Sequence, residues 1–309
     1  MIETSGLTKQ FDDILAVDHI SAKIRDGSVF GLIGTNGAGK STFLRMVSGI
    51  LKPDEGAVLI DGENVYENPA VKSRFFYISD DQYFFANGTP LELMKFYKSI
   101  YPAFDEPRFF HLLQSFDLDK KRKISTFSKG MKKQLSIVYG ICAGTDYIFC
   151  DETFDGLDPV MRSFVKKLIC EDVLERGASA IITSHSLREL EDICDQLALL
   201  HKGGLVLESD IENLKTSQFK IQIAFREDYD KSKFDGIQIS HYEKSGSVAN
   251  LIVSGEREDI VQKLRAMDPI LLDVLPLSLE EVFTYEMETL GYTFQIDDLI
   301  EEENRHAES

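Results

Sequence analysis

The sequence predicts an α/β fold: a core built on a mostly parallel sheet with a helical insertion, followed by a small α+β domain. Two patterns predict this. Short apolar runs alternate with helical patterns over residues 1–209, which is typical of parallel strands joined by crossover helices. After Asp210 the pattern changes to period-2 strands and short helices. The chain has 309 residues, enough for two domains of roughly 100–200 residues each.

Four apolar runs are predicted as buried strands of the parallel sheet. They are Val29–Ile33, Phe75–Ile78, Tyr147–Cys150 and Ala180–Thr183. Helical patterns follow three of these runs, and the predicted helices are Lys40–Ser48, Pro159–Glu175 and Leu187–Cys194.

Residues between Thr89 and Gly144 show helical patterns and no strand signal. The segment Thr89–Glu92 reads as a capping box with proline at the first helical position. Asp105 precedes a second helix in a similar way. We therefore expect a helical subdomain at about residues 88–143, inserted into a first domain of residues 1–215.

The segment after Asp210 predicts a small α+β domain at residues 219–290. Apolar Phe219, Ile221 and Ile223 alternate with other residues, as in a half-buried strand. Further strands are expected at Ile237–Tyr242, Val248–Val253 and Ile270–Leu275, and helices at Glu256–Met267 and Ser278–Leu290. Residues 297–309 form an acidic tail, which we expect to be frayed.

Charge and cysteine content exclude several classes of function. The net charge is −18, and residues 210–309 contribute 10 Lys and Arg against 22 Asp and Glu, a net of −12. A general polyanion binder carries a basic face, so we expect no nucleic acid partner. The four cysteines show neither C-x-x-C spacing nor a nearby histidine at metal-ligand spacing, which favours reduced core cysteines in the cytosol.

The sequence contains neither a signal-peptide pattern at Met1–Ser5 nor a run of about 18 apolar residues, the length that a membrane-spanning helix needs. Any role at a membrane is therefore expected to depend on a partner protein.

Residues Gly34–Thr42 match the phosphate-binding pattern G-x-x-x-x-G-K-[ST] at every fixed position. The loop lies between a predicted strand and a predicted helix, which argues against a chance glycine-rich turn. Its glycines let backbone N–H groups approach phosphate oxygens, and the helix N-terminus adds a favourable dipole. We expect Lys40 to contact the β- and γ-phosphates and Ser41 to ligate Mg²⁺. The predicted nucleotide-binding residues here are Asn36, Gly37, Gly39, Lys40, Ser41 and Thr42.

Two adjacent acids, Asp151 and Glu152, follow the apolar run Tyr147–Cys150. Carboxyl ends of strands in α/β sheets are where ligands bind. Asp151 is predicted to orient the Mg²⁺ shell, and Glu152 to polarise the water that attacks the γ-phosphate. The alternative is that both acids only cap a turn. His185 ends another predicted strand at the same edge and is a candidate sensor of the γ-phosphate.

Residues Phe127–Gln134, with the sequence FSKGMKKQ, are similar to the signature motif of the ABC ATPases, usually L-S-G-G-Q. Ser128 and Gly130 are kept, whereas Lys129 and Met131 replace the first glycine and the glutamine. A serine hydroxyl and a bare backbone N–H at a helix N-terminus remain, so nucleotide contact is still expected.

The resemblance to ABC ATPases covers residues 1 to about 215, with five motifs in the usual order. It implies a P-loop ATPase core with an N-terminal antiparallel β part, ATP and Mg²⁺ as ligands, and ATP hydrolysis. Phe11 occupies the position of the aromatic residue that stacks on adenine; the alternative is an ordinary core phenylalanine. Asp155–Asp158 match the D-loop, and His185 matches the switch histidine. Ser128 and Gly130 are expected to face the ATP of a second nucleotide-binding subunit, in a homodimer or a heterodimer.

Two positions depart from the family pattern. Thr153 replaces the proline that usually follows the catalytic glutamate. In the Q-loop the usual glutamine is Asp80, which could ligate Mg²⁺ through an oxygen but has a shorter, charged side chain. Gln82 is an alternative equivalent of the missing glutamine.

The Asp80 loop, the Ser-Lys-Gly-Met-Lys form of the signature and the segment Ser278–Phe283 resemble one branch of the family. This branch contains bacterial export subunits for antimicrobial peptides and bacteriocins, including the bacitracin-resistance type. The resemblance implies an exporter of peptides or drug-like amphipathic substrates, driven by ATP-dependent dimer closure. It also implies a separate membrane-spanning permease and a place on the inner face of the cell membrane, on the cytoplasmic side.

Two alternatives remain at this point: an importer ATPase subunit, and a soluble ABC ATPase of translation or DNA repair. Importer subunits often end in a larger β-rich domain, and the soluble class often has two nucleotide domains or a long coiled coil. Neither feature is evident here. Tyr83–Phe85 follow the Asp80 loop, where ABC transporters receive a helix of the permease. The alternative for these aromatics is packing inside the helical subdomain.

Overall fold

The computed structural model describes residues 1–85, 87–211, 218–275 and 277–289. The chain divides into two compact units, Met1–Ser209 and Asp210–Ser309, and each is described by itself. The predicted acidic tail at residues 297–309 lies outside the described residues.

The elements of the first unit alternate between strands and helices as the sequence pattern predicts. In chain order they are β1 (Ile2–Phe11), β2 (Ile14–Ile24), β3 (Val29–Ile33), α1 (Lys40–Val47), β4 (Glu55–Ile60), β5 (Glu63–Asn64), α2 (Pro69–Lys72), β6 (Phe75–Ile78), α3 (Pro90–Ile100), α4 (Glu106–Ser115), α5 (Lys129–Cys142), β7 (Tyr147–Cys150), α6 (Pro159–Arg176), β8 (Ser179–Ser184), α7 (Leu187–Leu190), β9 (Gln196–His201) and β10 (Gly204–Asp210).

The main sheet of this unit has the strand order β10-β9-β3-β8-β7-β6. Strand β3 pairs in parallel with β8 and β9, and β7 pairs in parallel with β6 and β8. Residues of β3, β7 and β8 are buried throughout, which explains their continuous apolar runs. Because the strands are parallel, the loops that follow β3, β7 and β8 meet at one edge of the sheet.

A second sheet, of order β2-β1-β4-β5, is antiparallel. One apolar cluster joins both sheets and α1 and includes Leu7, Phe43, Phe149 and Ile181. Each large apolar side chain buried in this way contributes roughly 1.5–3 kcal/mol. Helix α1 contacts β2 of one sheet and β8 of the other. This packing fixes the N-terminus of α1, where the phosphate-binding loop ends.

Helices α3, α4 and α5 and a 3₁₀ turn at Ile124–Thr126 form the predicted helical insertion. Thr89 and Glu92 make both hydrogen bonds of the capping box of α3. Asp105 caps α4 by accepting from the backbone N–H of Arg108. The buried Tyr139 of α5 donates its hydroxyl to Pro90 O at 2.7 Å, which connects α5 with the start of α3.

The predicted helix Leu187–Cys194 is wrong in length, because α7 ends at Leu190. Beyond it the chain turns toward β9, and Asp195 donates its backbone N–H to Val29 O at 2.8 Å. The apolar residues Ile193 and Cys194 are buried by this turn. In the sequence, Ile193 and Cys194 continue the apolar spacing of Leu187 and Leu190, which is why the pattern predicts a longer helix.

The second unit contains β11 (Gln218–Ala224), β12 (Ile239–Ser245), β13 (Val248–Ser254), α8 (Arg257–Arg265), β14 (Leu271–Leu275) and α9 (Leu279–Thr289). Its antiparallel sheet has the order β12-β13-β11-β14. Apolar residues such as Ile221, Leu251 and Leu264 form a core of their own. The predicted helix Ser278–Leu290 corresponds to α9, and Leu290 lies outside the described residues.

All four cysteines are free thiols, and Cys142, Cys150 and Cys194 are buried. Burial raises the pKa of Cys142 and of Cys150 to about 12. Among the described residues, no helix combines the length and the apolar character needed to cross a bilayer.

Candidate functional site

The predicted phosphate-binding loop connects β3 with α1 at the carboxyl edge of the main sheet. Gly39 is the N-cap residue of α1 and has a φ of 103°. A Cβ atom at this position would lie 2.2 Å from Ala16 O. Both the backbone angle and the close approach of β2 therefore require glycine here.

Lys40 is 4% exposed and lies inside this loop. Its Nζ donates to Gly34 O at 2.7 Å and to Thr35 O at 3.2 Å. The same ammonium is 3.0 Å from Glu152 Oε1. A buried cation with these acceptors is positioned to receive the phosphate oxygens that the loop surrounds.

Asp151 is 1% exposed and accepts hydrogen bonds on both carboxylate oxygens. Ser41 Oγ and Thr183 Oγ1 donate to Oδ1 at 2.8 and 2.9 Å. Tyr77 OH donates to Oδ2 at 2.8 Å. Ser41 and Asp151 thus place a hydroxyl and a carboxylate oxygen side by side. Hard oxygen donors of this kind fit Mg²⁺.

Glu152 has a positive φ of 46°, which is unusual for a residue other than glycine. Its backbone N–H donates to Thr183 Oγ1 at 2.9 Å. Its carboxylate lies between Lys40 and His185, and the distance from Oε2 to His185 Nδ1 is 3.2 Å. The strained backbone is therefore held at both the amide and the side chain.

The charges around Glu152 change the pKa of the acid and of its neighbours. Burial favours a raised pKa for Glu152, but the hydrogen bond from His185 and the charge of Lys40 outweigh it and lower the pKa. The hydrogen bond to Glu152 raises the pKa of His185, against the effect of burial. Burial, together with the charge of Glu152, raises the pKa of Asp155. The site thus favours an ionised Glu152 beside a protonated His185.

The structure brings together Lys40, Ser41, Asp151, Glu152 and His185 from three loops that follow β3, β7 and β8. The other residues of the phosphate-binding loop differ in exposure: Asn36 and Gly37 are exposed, and Thr42 is partly buried. Ser128 is exposed and caps α5, where its Oγ accepts from the Met131 N–H at 3.2 Å. Gly130 follows in the first turn of α5.

Phe11 ends β1 with 44% of its surface exposed. The alternative interpretation of Phe11 as an ordinary core residue is therefore wrong. Lys9 Nζ lies 5.5 Å from the centre of its ring. An exposed aromatic ring beside a cation remains compatible with stacking on a base.

Asp80 lies in the loop after β6, and its Oδ1 is 3.3 Å from Lys133 Nζ. Gln82 donates its amide group to Ser79 O and Asp80 O, at 3.2 and 2.9 Å. The side chain of Gln82 is thus bonded to its own loop. The structure shows Asp80 paired with a lysine, and its role as a Mg²⁺ ligand stays a prediction.

Sequence reasoning did not identify Tyr77, Thr183 or Lys133 as site residues. Tyr77 and Thr183 lie in apolar strand runs, where a hydroxyl-bearing residue gives a weak signal. Lys133 is 2% exposed and belongs to α5, where the buried Ile137 follows four residues later. A lysine on the apolar face of a helix was the signal that could have identified it.

The chain is similar to known proteins over most of its length. The family model described as ABC transporter matches residues 17–155. The ABC transporter ATP-binding protein YtrB of Bacillus subtilis (strain 168) is 33% identical over 283 residues, 92% of this chain and 97% of that protein. The bacitracin transport ATP-binding protein BcrA of Bacillus licheniformis is 32% identical over 218 residues, 70% of this chain and 71% of that protein.

A solved structure described as the ATP binding subunit of an ABC transporter is also similar to this chain. Its TM-score is 0.64 at 26% sequence identity, and the match covers 70% of this chain and 92% of that one. This likeness confirms the predicted fold class.

Proposed function

The chain belongs to the ABC transporter family, and from this we propose that it powers an exporter through a separate membrane permease. As a member of this family, the chain is an ATP-binding subunit of a transporter and an ATPase. The predicted resemblance to the bacitracin-resistance branch is confirmed by the relatives. The direction of transport, the substrate class and the permease are the parts that we propose.

One observation carries the proposed chemistry. Five residues converge at one edge of the main sheet: Ser41 is hydrogen-bonded to Asp151, and the Glu152 carboxylate lies between Lys40 and His185. Lys40 would bind the β- and γ-phosphates, and Ser41 with Asp151 would hold Mg²⁺. When bound, Mg²⁺ supplies charge neutralisation at the phosphate oxygens.

Hydrolysis needs a group that orients a water molecule in line with the γ-phosphate. Glu152 is suited to this role because its carboxylate is ionised and lies beside Lys40. Glu152 would accept the proton of the attacking water, and His185 would contact the γ-phosphate. Both roles depend on residues at the ends of buried strands, whose positions are fixed by the sheet.

Ser128 is the exposed N-cap of α5 and Gly130 lies in its first turn, where backbone N–H groups can approach an anion. We propose that these two residues bind the ATP held by a second nucleotide-binding subunit. Closure of two such subunits around two ATP molecules would then drive the permease. The second subunit is either a copy of this chain or a related chain.

The proposed direction of transport comes from the relatives. One of them is named for bacitracin transport, and another, 33% identical over 224 residues, for daunorubicin and doxorubicin resistance. A peptide or drug-like substrate, exported across the cell membrane, is therefore the proposed cargo.

The surface proposed for the permease consists of Tyr83, Phe85 and Phe96. Their exposed fractions are 87%, 48% and 44%, and the rings of Phe85 and Phe96 meet edge to face at 5.3 Å. Exposed aromatic clusters mark interaction sites because they bring much apolar area. Docking here would place the subunit on the inner face of the cell membrane, on the cytoplasmic side.

Co-purification from the source cells tests the proposed function. The tagged full chain is captured from detergent-solubilised membranes, and its partners are identified by mass spectrometry. We expect an ABC permease of the export type. A permease with a periplasmic or surface binding protein would instead indicate an importer, and capture of ribosomes or DNA would indicate a soluble ABC ATPase.

A further inference from the structure

Lys133 is a buried lysine that none of the predicted motif roles uses. It is 2% exposed and lies in α5, five residues after Ser128. An isolated ammonium in such a position would lose several kcal/mol of hydration, so buried lysines require close acceptors. Lys133 has three of them.

The three acceptors come from two separate loops. Lys133 Nζ donates to Glu152 O at 2.6 Å and to Asp155 O at 2.8 Å. Its third acceptor is Asp80 Oδ1 at 3.3 Å, in the loop after β6. One side chain of the helical insertion therefore connects the loop after β6 with the loop after β7.

The contact with Glu152 is made at a strained residue. Glu152 has a φ of 46°, a conformation that costs on the order of 1–3 kcal/mol outside glycine. Thr183 Oγ1 accepts from its backbone N–H, and Lys133 donates to its backbone carbonyl. The peptide groups on the two sides of Glu152 are thus held by different elements, and together they set the direction of its carboxylate.

We propose that Lys133 is a positioning residue for ATP hydrolysis: it fixes the backbone of Glu152 and connects it to Asp80. This inference rests on the role proposed above for Glu152. It also gives a physical reason why an aspartate, Asp80, occupies the position where the family pattern has a glutamine. A carboxylate in that loop is balanced by the charge of Lys133, so a change of Asp80 is transmitted to the backbone that carries Glu152.

The test compares steady-state ATP hydrolysis of the full chain with that of Lys133→Gln, Asp80→Asn and the double variant. Lys167→Gln is the matched control, because the side chain of Lys167 is 73% exposed on α6. Thermal unfolding, ATP binding and the Mg²⁺ concentration for half-maximal activity are measured for each protein.

We expect Lys133→Gln to lower kcat by about 10- to 100-fold, because small misplacements of a catalytic group have effects of this size. KM for ATP should stay within threefold, since the phosphate-binding loop is intact. Asp80→Asn should lower kcat by less. The double variant should be no slower than Lys133→Gln, because both changes break the same connection.

An unchanged kcat for Lys133→Gln would overturn the proposal, as would a rise of KM in place of a fall of kcat. Losses that multiply in the double variant would also overturn it, because the two residues would then act independently. A wild-type chain that does not hydrolyse ATP would count against the ATPase role itself. If the wild type hydrolyses ATP and the variants have the same kcat, only the positioning role of Lys133 is contradicted.

If Lys133→Gln does not fold, Asp80→Asn decides the question, since the Asp80 side chain is 46% exposed and is not needed for packing. A fall of kcat of threefold or more at saturating Mg²⁺, with an unchanged Mg²⁺ requirement, supports the proposal. A loss that higher Mg²⁺ restores assigns Asp80 to the metal and overturns the proposal, as does an unchanged kcat.

Discussion

At the scale of single residues, the site depends on charges that are buried next to one another. Lys40, Asp151 and Lys133 are each less than 5% exposed, and each has several partners. Removal of one of them leaves its own partners without compensation, such as Glu152 beside Lys40, which costs more than the contact itself gains. Substitutions in this group should therefore have effects well above those of surface residues.

Lys40→Ala is expected to nearly abolish ATP binding. The variant loses a charge-assisted contact of about 1.5–3 kcal/mol at the phosphates, which corresponds to roughly a 10- to 150-fold loss of affinity. Titration with a fluorescent ATP analogue measures this, and Lys167→Ala is the control for loss of a lysine elsewhere. An affinity within threefold of wild type would contradict the assignment of the loop.

The pKa of His185 should fall in Glu152→Gln. The hydrogen bond to Glu152 is the main cause of the raised pKa, and an amide in its place cannot stabilise the imidazolium charge to the same extent. NMR titration of the histidine side chains measures the change. His201, whose pKa is lowered by burial and by Lys202, serves as an internal control and should not shift. An unchanged His185 pKa would show that the pair does not exist in solution.

The same pair makes stability depend on pH. The raised pKa of His185 adds stability that is fully present below 6.5 and is lost as pH rises through the folded-state pKa. The lowered pKa of Glu152 adds stability that is present above 4.5 and is lost as pH falls through its folded-state pKa. The pair therefore contributes most between about pH 4.5 and pH 6.5.

At the scale of elements, the strands with both faces buried are the ones whose positions the sequence predicts best. Strands β3, β6 and β7 occur at the predicted positions, and β8 is one residue longer at each end. Continuous apolar runs of four or five residues give a clear signal because no solvent-exposed face interrupts them. The capping residues Thr89 and Asp105 likewise set the starts of α3 and α4.

Other elements could not be located from the sequence. In β10 every residue except Glu208 is half-buried, and its apolar run is limited to Leu205–Leu207, shorter than those of the buried strands. The family resemblance implies an N-terminal antiparallel part, but the sequence pattern does not give the positions of its strands β1, β2 and β4. For the site, motifs identified Lys40, Ser41, Asp151 and Glu152, whereas Thr183 acts through contacts between elements that are distant in sequence. Such contacts have no local pattern.

The segment after β6 gives a prediction about the permease. Tyr83→Ala or Phe85→Ala should weaken co-purification with the membrane partner, because exposed aromatics anchor interfaces. ATP affinity should stay unchanged, since the phosphate-binding loop is elsewhere. Leu174→Ala is the control, as Leu174 is 83% exposed on α6. Normal co-purification of all the aromatic variants, including Phe84→Ala, would contradict the proposed surface.

At the scale of the whole molecule, each of the two units has its own apolar core. The sequence pattern changes after Asp210, and the two units divide after Ser209, close to that change. Because each core is complete within its own unit, neither unit needs the other in order to bury its apolar side chains.

Removal of residues 219–309 should leave a folded core that binds ATP. The residues proposed for nucleotide binding and catalysis lie before residue 190, and the apolar cluster of the first unit extends no further than Leu205. Circular dichroism and ATP titration of the truncated chain measure the outcome, with the full chain as reference. An insoluble product, or one that does not bind ATP, would show that the two units share their stability.

Dimer formation is a property of two molecules and gives a further prediction. Glu152→Gln should bind ATP with wild-type affinity but not hydrolyse it, so that two copies remain closed around two ATP molecules. Light scattering with and without Mg-ATP measures the mass, and Lys40→Ala is the control that should stay monomeric. Turnover of Glu152→Gln at the wild-type rate would exclude Glu152 as the general base.

Burial of the cysteines has a consequence for chemical labelling. With a pKa of about 12, the thiolate fraction of Cys142 and Cys150 at pH 7 is on the order of one in 10⁵. Cys194 is equally protected, and burial also raises the pKa of Cys170, which is only partly buried. Maleimide dyes react with thiolates, so an added surface cysteine such as Leu174→Cys, at a side chain that is 83% exposed, would react far faster than the buried natural ones. The native chain is therefore already suited to fluorescence measurements of closure and docking, without prior removal of its three buried cysteines.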